Sequence, residues 1–123
     1  MKEVIAIIRP SKITATKAAL DELGFSGMTV HPVLGRGKQR GIAGEVRFET
    51  STELLSKGKS AGMKFIPKRL ISIVVDDVAA KYVVETIIKV NETAQIGDGR
   101  IFVCPIVNAV RVRTGEEGSQ ALL

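Results

Sequence analysis

Four short segments of this 123-residue sequence combine glycine with hydroxyl-bearing or basic side chains, the residue types that hold phosphate. They are Ser26-Gly27-Met28-Thr29, Gly35-Arg36-Gly37-Lys38-Gln39-Arg40-Gly41, Gly97-Asp98-Gly99-Arg100 and Arg111-Val112-Arg113-Thr114-Gly115-Glu116. Glycine lets backbone N–H groups approach an anion closely, and lysine or arginine neutralises its charge. The turn Gly97–Arg100 aims a guanidinium and free amides at one spot. Arginines at i and i+2 of a strand share a face, so Arg111 and Arg113 are expected to grip one polyphosphate together. Taken singly, each segment also reads as a turn glycine or a solvated charge; together they favour a nucleotide.

The charge distribution singles out the second segment. The chain carries 18 Lys+Arg against 13 Asp+Glu, for a net charge of +5. Between Arg36 and Arg69 nine basic residues face three acidic ones, which leaves the remainder close to neutral. A neutral scaffold carrying one basic device differs from a generally basic nucleic-acid binder. Aromatic residues make up only 4% of the chain and no aromatic RNP1 pattern is present, so RNA binding is disfavoured.

Enzyme signatures are missing. His31 is the sole histidine, with no second ligand beside it, and neither a G-x-S-x-G, a Walker A nor an H-E-x-x-H pattern occurs. Cys104 is the sole cysteine, which excludes an intrachain disulfide and fits a reducing cytoplasm, the expected location. The apolar run after Lys2-Glu3 is too short for a signal peptide or a membrane span.

The elements that must position these segments follow from hydrophobic patterning. Val4–Ile8 reads as a buried strand closed by Arg9-Pro10. A helix over Ile13–Leu23, capped by Ser11 or Thr14, ends at Gly24. Met28–Leu34 is a second strand, and a long basic loop spans residues 36–67. Leu70–Val75 is a third strand. A second helix begins at Asp76-Asp77 and runs to about Val90, with Tyr82, Val83, Ile87 and Val90 expected on its core face. Ile101–Pro105 and Val107–Arg113 read as short strands. The order β-α-β-β-α-β predicts an α+β, ferredoxin-like sandwich forming one domain over residues 1–123. Strands apolar on both faces, such as Val4–Ile8 and Leu70–Val75, predict that sheets of several subunits pack together.

Gly27-Met-Thr-Val30, Gly35-x-Gly-Lys-Gln-Arg-Gly41, Ile96-Gly-Asp-Gly-Arg-Ile-Phe-Val103 and Val110-Arg-Val-Arg-Thr-Gly-Glu116 resemble, in order, the signature segments of the PII signalling family. The resemblance covers nearly the whole chain. It implies a ferredoxin-like homotrimer whose intersubunit clefts bind ATP or ADP, with 2-oxoglutarate beside Mg-ATP. It assigns to the nucleotide Gly27, Met28, Thr29, Gly35, Gly37, Lys38, Gln39, Val74, Gly97, Asp98, Gly99, Arg100, Arg111 and Arg113. It assigns Gln39, Arg40, Gly41 and Lys68 to 2-oxoglutarate, and Gln39 to Mg²⁺. A dianion beside Mg-ATP needs a cation of its own, and Lys68 stands where the loop re-enters the sheet.

Departures from the family pattern narrow the reading. The tyrosine that many members nucleotidylate in the loop is missing, since Tyr82 is the sole tyrosine, and a strand glutamate found in many members is Ser72 here. Thr50, Ser51 and Thr52 are candidate phosphorylation sites that read more simply as linker residues. The enlarged tyrosine-free loop, Pro67-Lys-Arg-Leu-Ile-Ser72 and Phe102-Val-Cys-Pro105 look most like the nif-operon (NifI) branch, and within it like the second member. That branch implies a partner of the same family in a hetero-oligomer and dinitrogenase as the target, inhibited when nitrogen is plentiful. A membrane ammonium transporter reached through the loop is the alternative target.

Overall fold

A computed structural model describes residues 1–37 and 64–123. Strand β1 (Lys2–Ile8) leads through a 3-10 turn (Pro10–Lys12) into helix α1 (Ile13–Glu22), followed by β2 (Thr29–Gly35). Then come β3 (Ile66–Val75), α2 (Asp77–Asn91), β4 (Gly99–Pro105) and a 3-10 turn (Gly118–Leu122). The sheet order is β2-β3-β1-β4 with every neighbouring pair antiparallel, the α+β topology expected from the sequence.

The alternation of the two central strands divides the sheet into two faces. Val4, Ala6 and Ile8 of β1 and Ile71, Ile73 and Val75 of β3 join Leu20 of α1 and Ala80, Val83 and Ile87 of α2 in one buried cluster. Ile5, Ile7, Leu70 and Val74 fall on the opposite face and are half-buried, and Phe102 there is 46% exposed. No described element covers that face.

Helix α1 ends as the sequence predicts. Gly24 adopts φ +91°, its N–H donates to the Asp21 carbonyl, and the Phe25 N–H donates to the Leu20 carbonyl, the paired bonds of a Schellman termination. Phe25 then packs against the core. The N-terminus differs: the 3-10 turn starting at Pro10 leads into the helix, and neither Ser11 nor Thr14 supplies a capping bond at the Lys12 position. Between the helices, Asn91 Nδ2 donates to Thr16 Oγ1 at 3.0 Å and to the Ile87 carbonyl at 2.9 Å, so a polar pair lies inside the apolar seam.

Three sequence expectations are corrected. Tyr82 is 56% exposed and does not belong to the core; the buried stripe of α2 is Ala80, Val83, Ile87 and Asn91, about 100° further round the helix. β3 starts at Ile66 rather than Leu70, so Pro67 and Lys68 belong to the strand. There β3 has outrun β1, whose last pair is Ile8 with Arg69, and Pro67 is tolerated because no neighbour on that side needs its missing N–H. Residues 107–113 do not form a strand. Only the isolated bridge Val110 to Glu117 forms, because the segment folds back on itself as a tight turn.

Candidate functional site

The end of β2, the start of β3 and the turn before β4 meet at one end of the sheet. There a cleft of about 530 Å³ is lined by Gly35, Arg36 and Gly37 from the end of β2, Lys68 from β3, and Gly97, Gly99 and Arg100 from the turn, with apolar walls from Ile7, Ile96 and Phe102. Among the described residues, three basic side chains and no carboxylate line it. The Lys68 side chain is only 8% exposed, and its Nζ donates to the Gly97 carbonyl at 2.9 Å. That bond ties the strand on which the chain re-enters the sheet to the glycine turn. Lys38, Gln39, Arg40 and Gly41, together with Thr50, Ser51 and Thr52, lie outside the described residues.

The Gly97–Arg100 turn is held from behind by a carboxylate that does not face the cleft. Asp98 Oδ2 accepts the Thr93 N–H at 2.7 Å and the Ala94 N–H at 3.0 Å, and Oδ1 accepts the Thr93 hydroxyl. Arg9 Nη1 donates to Asp98 Oδ1 at 2.6 Å, and Arg9 Nη2 donates to the Ile96 carbonyl at 3.0 Å. The resemblance assigns Asp98 to the nucleotide; its carboxylate holds the turn, and Gly97 and Gly99 reach φ +104° and +127° around it. Arg9, read from sequence only as a strand terminator, is the residue sequence reasoning missed. Its partner lies 89 positions away, beyond any local pattern.

The Thr93 hydroxyl and N–H, followed by Arg9, hold the Asp98 carboxyl far below its ordinary range. A carboxylate whose folded pKa is depressed stabilises the fold above its unfolded value, near 4, and that contribution fades as pH falls toward the lower folded value. Asp98→Asn is therefore expected to flatten the acid limb of the stability curve below about pH 4. Circular dichroism melts of both proteins between neutral pH and strong acid measure the difference, and parallel acid limbs would contradict the assignment.

The remaining assigned residues lie elsewhere. Gly27 and Val74 line a second pocket of about 420 Å³ with Leu122 and Leu123. Thr29 pairs with Ser72 at the opposite end of β2 from Gly35, about 20 Å away at strand rise. Met28 packs its side chain against the core. Arg111 and Arg113 do not share a strand face. Arg111 pairs with Glu116 and donates to the carbonyls of Gln120 and Leu123, both at 2.7 Å, while Arg113 is exposed on the turn. One chain thus brings Gly35, Gly37, Lys68, Gly97, Gly99 and Arg100 together in one cleft and places Gly27 and Val74 in another pocket. Ser72, in place of the glutamate of many PII members, donates to Glu3 Oε2 at 2.6 Å, so a carboxylate reaches this face from β1 instead.

Among the described residues no three of His, Cys, Asp and Glu are grouped to hold a metal ion, and no helix is long and apolar enough to cross a membrane.

Comparison with known proteins bears on the family of the chain. A family model described as "Nitrogen regulatory protein P-II" matches residues 1–116. A Methanosarcina barkeri protein named "Nitrogen fixation nifHD1 region GlnB-like protein 2" is 58% identical over 122 residues, covering 99% of each chain. A Methanobacterium ivanovii protein named "Nitrogen fixation nifHD region GlnB-like protein 2" is 58% identical over the full length of both chains. "Nitrogen regulatory protein P-II 1" of Escherichia coli (strain K12) is 42% identical over 122 residues, covering 99% of this chain and 100% of that one.

Proposed function

Because the chain belongs to the nitrogen regulatory protein P-II family, a family of regulatory proteins and not of enzymes, we propose that it senses ATP or ADP together with 2-oxoglutarate and inhibits dinitrogenase when nitrogen suffices. One observation carries the ligand part of this reading: a glycine-bordered cleft lined by Arg36, Lys68 and Arg100 with no carboxylate among its described walls. Such a lining attracts a polyanion and repels cations. The target part is supported by relatives whose names place them in nitrogen-fixation gene regions.

The assembly proposed with it is a homotrimer, or a hetero-oligomer with a related P-II subunit. Two features support this. The half-buried face bearing Ile5, Ile7, Leu70 and Phe102 lacks a cover among the described residues. The assigned nucleotide residues also fall into two groups at opposite ends of β2, which a neighbouring subunit would unite. Mg²⁺ supplies charge neutralisation between the phosphates and the 2-oxoglutarate carboxylate when bound. Among the described residues the cleft walls offer it no carboxylate; in this reading the family resemblance gives it the amide of Gln39, outside the described residues.

The switching demand is moderate. A ligand that favours one conformational state by about 3 kcal/mol shifts its population more than a hundredfold. Purified dinitrogenase immobilised on a sensor surface is expected to bind this protein, with its related subunit present, and to release it when Mg-ATP and millimolar 2-oxoglutarate are added. Binding that is indifferent to 2-oxoglutarate would sink the inhibitory mechanism. Recovery of the protein with an ammonium transporter instead would redirect it.

A further inference from the structure

The ladder between β2 and β3 ends at the pair Gly35 and Ile66, so Arg36 and Phe65 occupy the next rung. There they make a contact of a different kind: the Arg36 guanidinium carbon lies 5.6 Å from the centre of the Phe65 ring. The pair therefore closes the ladder with side chains at the point where the chain leaves the sheet and where it returns. Phe65 is 38% exposed, and among the described residues no carboxylate pairs with Arg36. A guanidinium held among the described residues by a ring face is bound weakly there and can be drawn away by a better partner. Arg36 is also one of the residues lining the cleft, beside Gly37, Lys68 and Arg100.

We propose that Arg36 is a ligand-sensing residue that exchanges the Phe65 ring for the phosphates of a nucleotide bound in this cleft, a step that rests on the nucleotide reading above. Phosphate offers the guanidinium charge and two parallel hydrogen bonds, which a ring cannot match. The exchange connects occupancy of the cleft to the closure of the two chain ends: the free protein holds them together through the ring contact, and the nucleotide releases Phe65. It also gives the residue at position 36 a role that glycine spacing alone does not suggest.

Competition between ring and phosphate makes the effect of removing the ring opposite to that of removing the cation. Calorimetric titration with Mg-ATP is expected to show Phe65→Leu binding about two- to fivefold more tightly than wild type, the range an exposed cation–π contact is worth. Phe65→Tyr, which keeps the ring, should bind as wild type does. Arg36→Gln should lose roughly tenfold in affinity, the scale of one charge-assisted hydrogen bond, and adding Phe65→Leu to it should change nothing further. Phe65→Leu binding equal to or weaker than wild type, or Arg36→Gln binding unchanged, would overturn the exchange while the nucleotide reading stood. Failure of wild type and Phe65→Tyr alike to bind Mg-ATP would remove that reading and the exchange with it.

Discussion

Gly99→Ala is expected to destabilise the protein by about 4 kcal/mol, lowering the melting temperature by roughly 15 °C. Gly99 opens β4 at φ +127°, and a Cβ there would stand 2.2 Å from the Ile7 carbonyl oxygen and 3.4 Å from the Ile8 Cα. The obstacle is backbone, and that backbone belongs to β1, which is paired on both sides and cannot step aside. Backbone strain and overpacking therefore add at one position. Gly27→Ala is the matched control, since a Cβ at Gly27 meets nothing within 4 Å, and its melting temperature should stay near that of wild type. A Gly99→Ala protein that melts within a few degrees of wild type would mean that β4 can separate from β1 more easily than its pairing suggests. The same glycine borders the cleft, so any protein that does fold should also bind nucleotide poorly.

The second large effect is chemical. Lys68→Ala is expected to weaken 2-oxoglutarate binding by about a hundredfold, near 2.7 kcal/mol, while leaving Mg-ATP affinity within about threefold. An almost buried ammonium opposite a carboxylate is worth far more than a surface charge, because neither partner can recover its hydration elsewhere. Alanine also strips the Gly97 carbonyl of the donor at 2.9 Å. Lys68→Met removes the same donor but keeps the packing of the aliphatic stem, so it should lose 2-oxoglutarate as alanine does without the cavity that alanine leaves. Calorimetry of both variants with ATP and then 2-oxoglutarate checks this, and unchanged 2-oxoglutarate affinity in both would remove Lys68 from the site.

What could be read in advance differs between fold and site for a physical reason. Continuous apolar runs such as Val4–Ile8 dictate buried strands whatever surrounds them, and Gly24 terminates α1 by a local rule, so both are legible in sequence. The segment 107–113 has strand-like alternation, yet a strand needs a partner edge, and only Val110 finds one, across its own turn. Tyr82 misled because the buried stripe of α2 ends in a polar residue: Asn91 is buried through its bonds to Thr16 and Ile87, which no hydrophobic count anticipates. In the site, Gly35, Gly37, Gly97, Gly99 and Lys68 line one cleft, with Lys68 inside β3 and not at the end of a loop. The direction of Asp98 was not legible, because Arg9 and Thr93 decide it and Arg9 arrives from the other end of the fold. Arg111 and Arg113 illustrate the same limit, since the fold-back that separates them depends on Glu116 and the carbonyls beyond it.

The central claim is that one cleft, bordered by Gly35, Lys68 and the Gly97–Arg100 turn, takes a nucleotide and uses it to recruit 2-oxoglutarate. Titrating the purified wild-type protein with 2-oxoglutarate, first alone and then with saturating Mg-ATP, tests this most directly. No measurable 2-oxoglutarate binding is expected without Mg-ATP, and saturable binding with it. Binding of 2-oxoglutarate that is the same with and without the nucleotide, or absent in both, would contradict it.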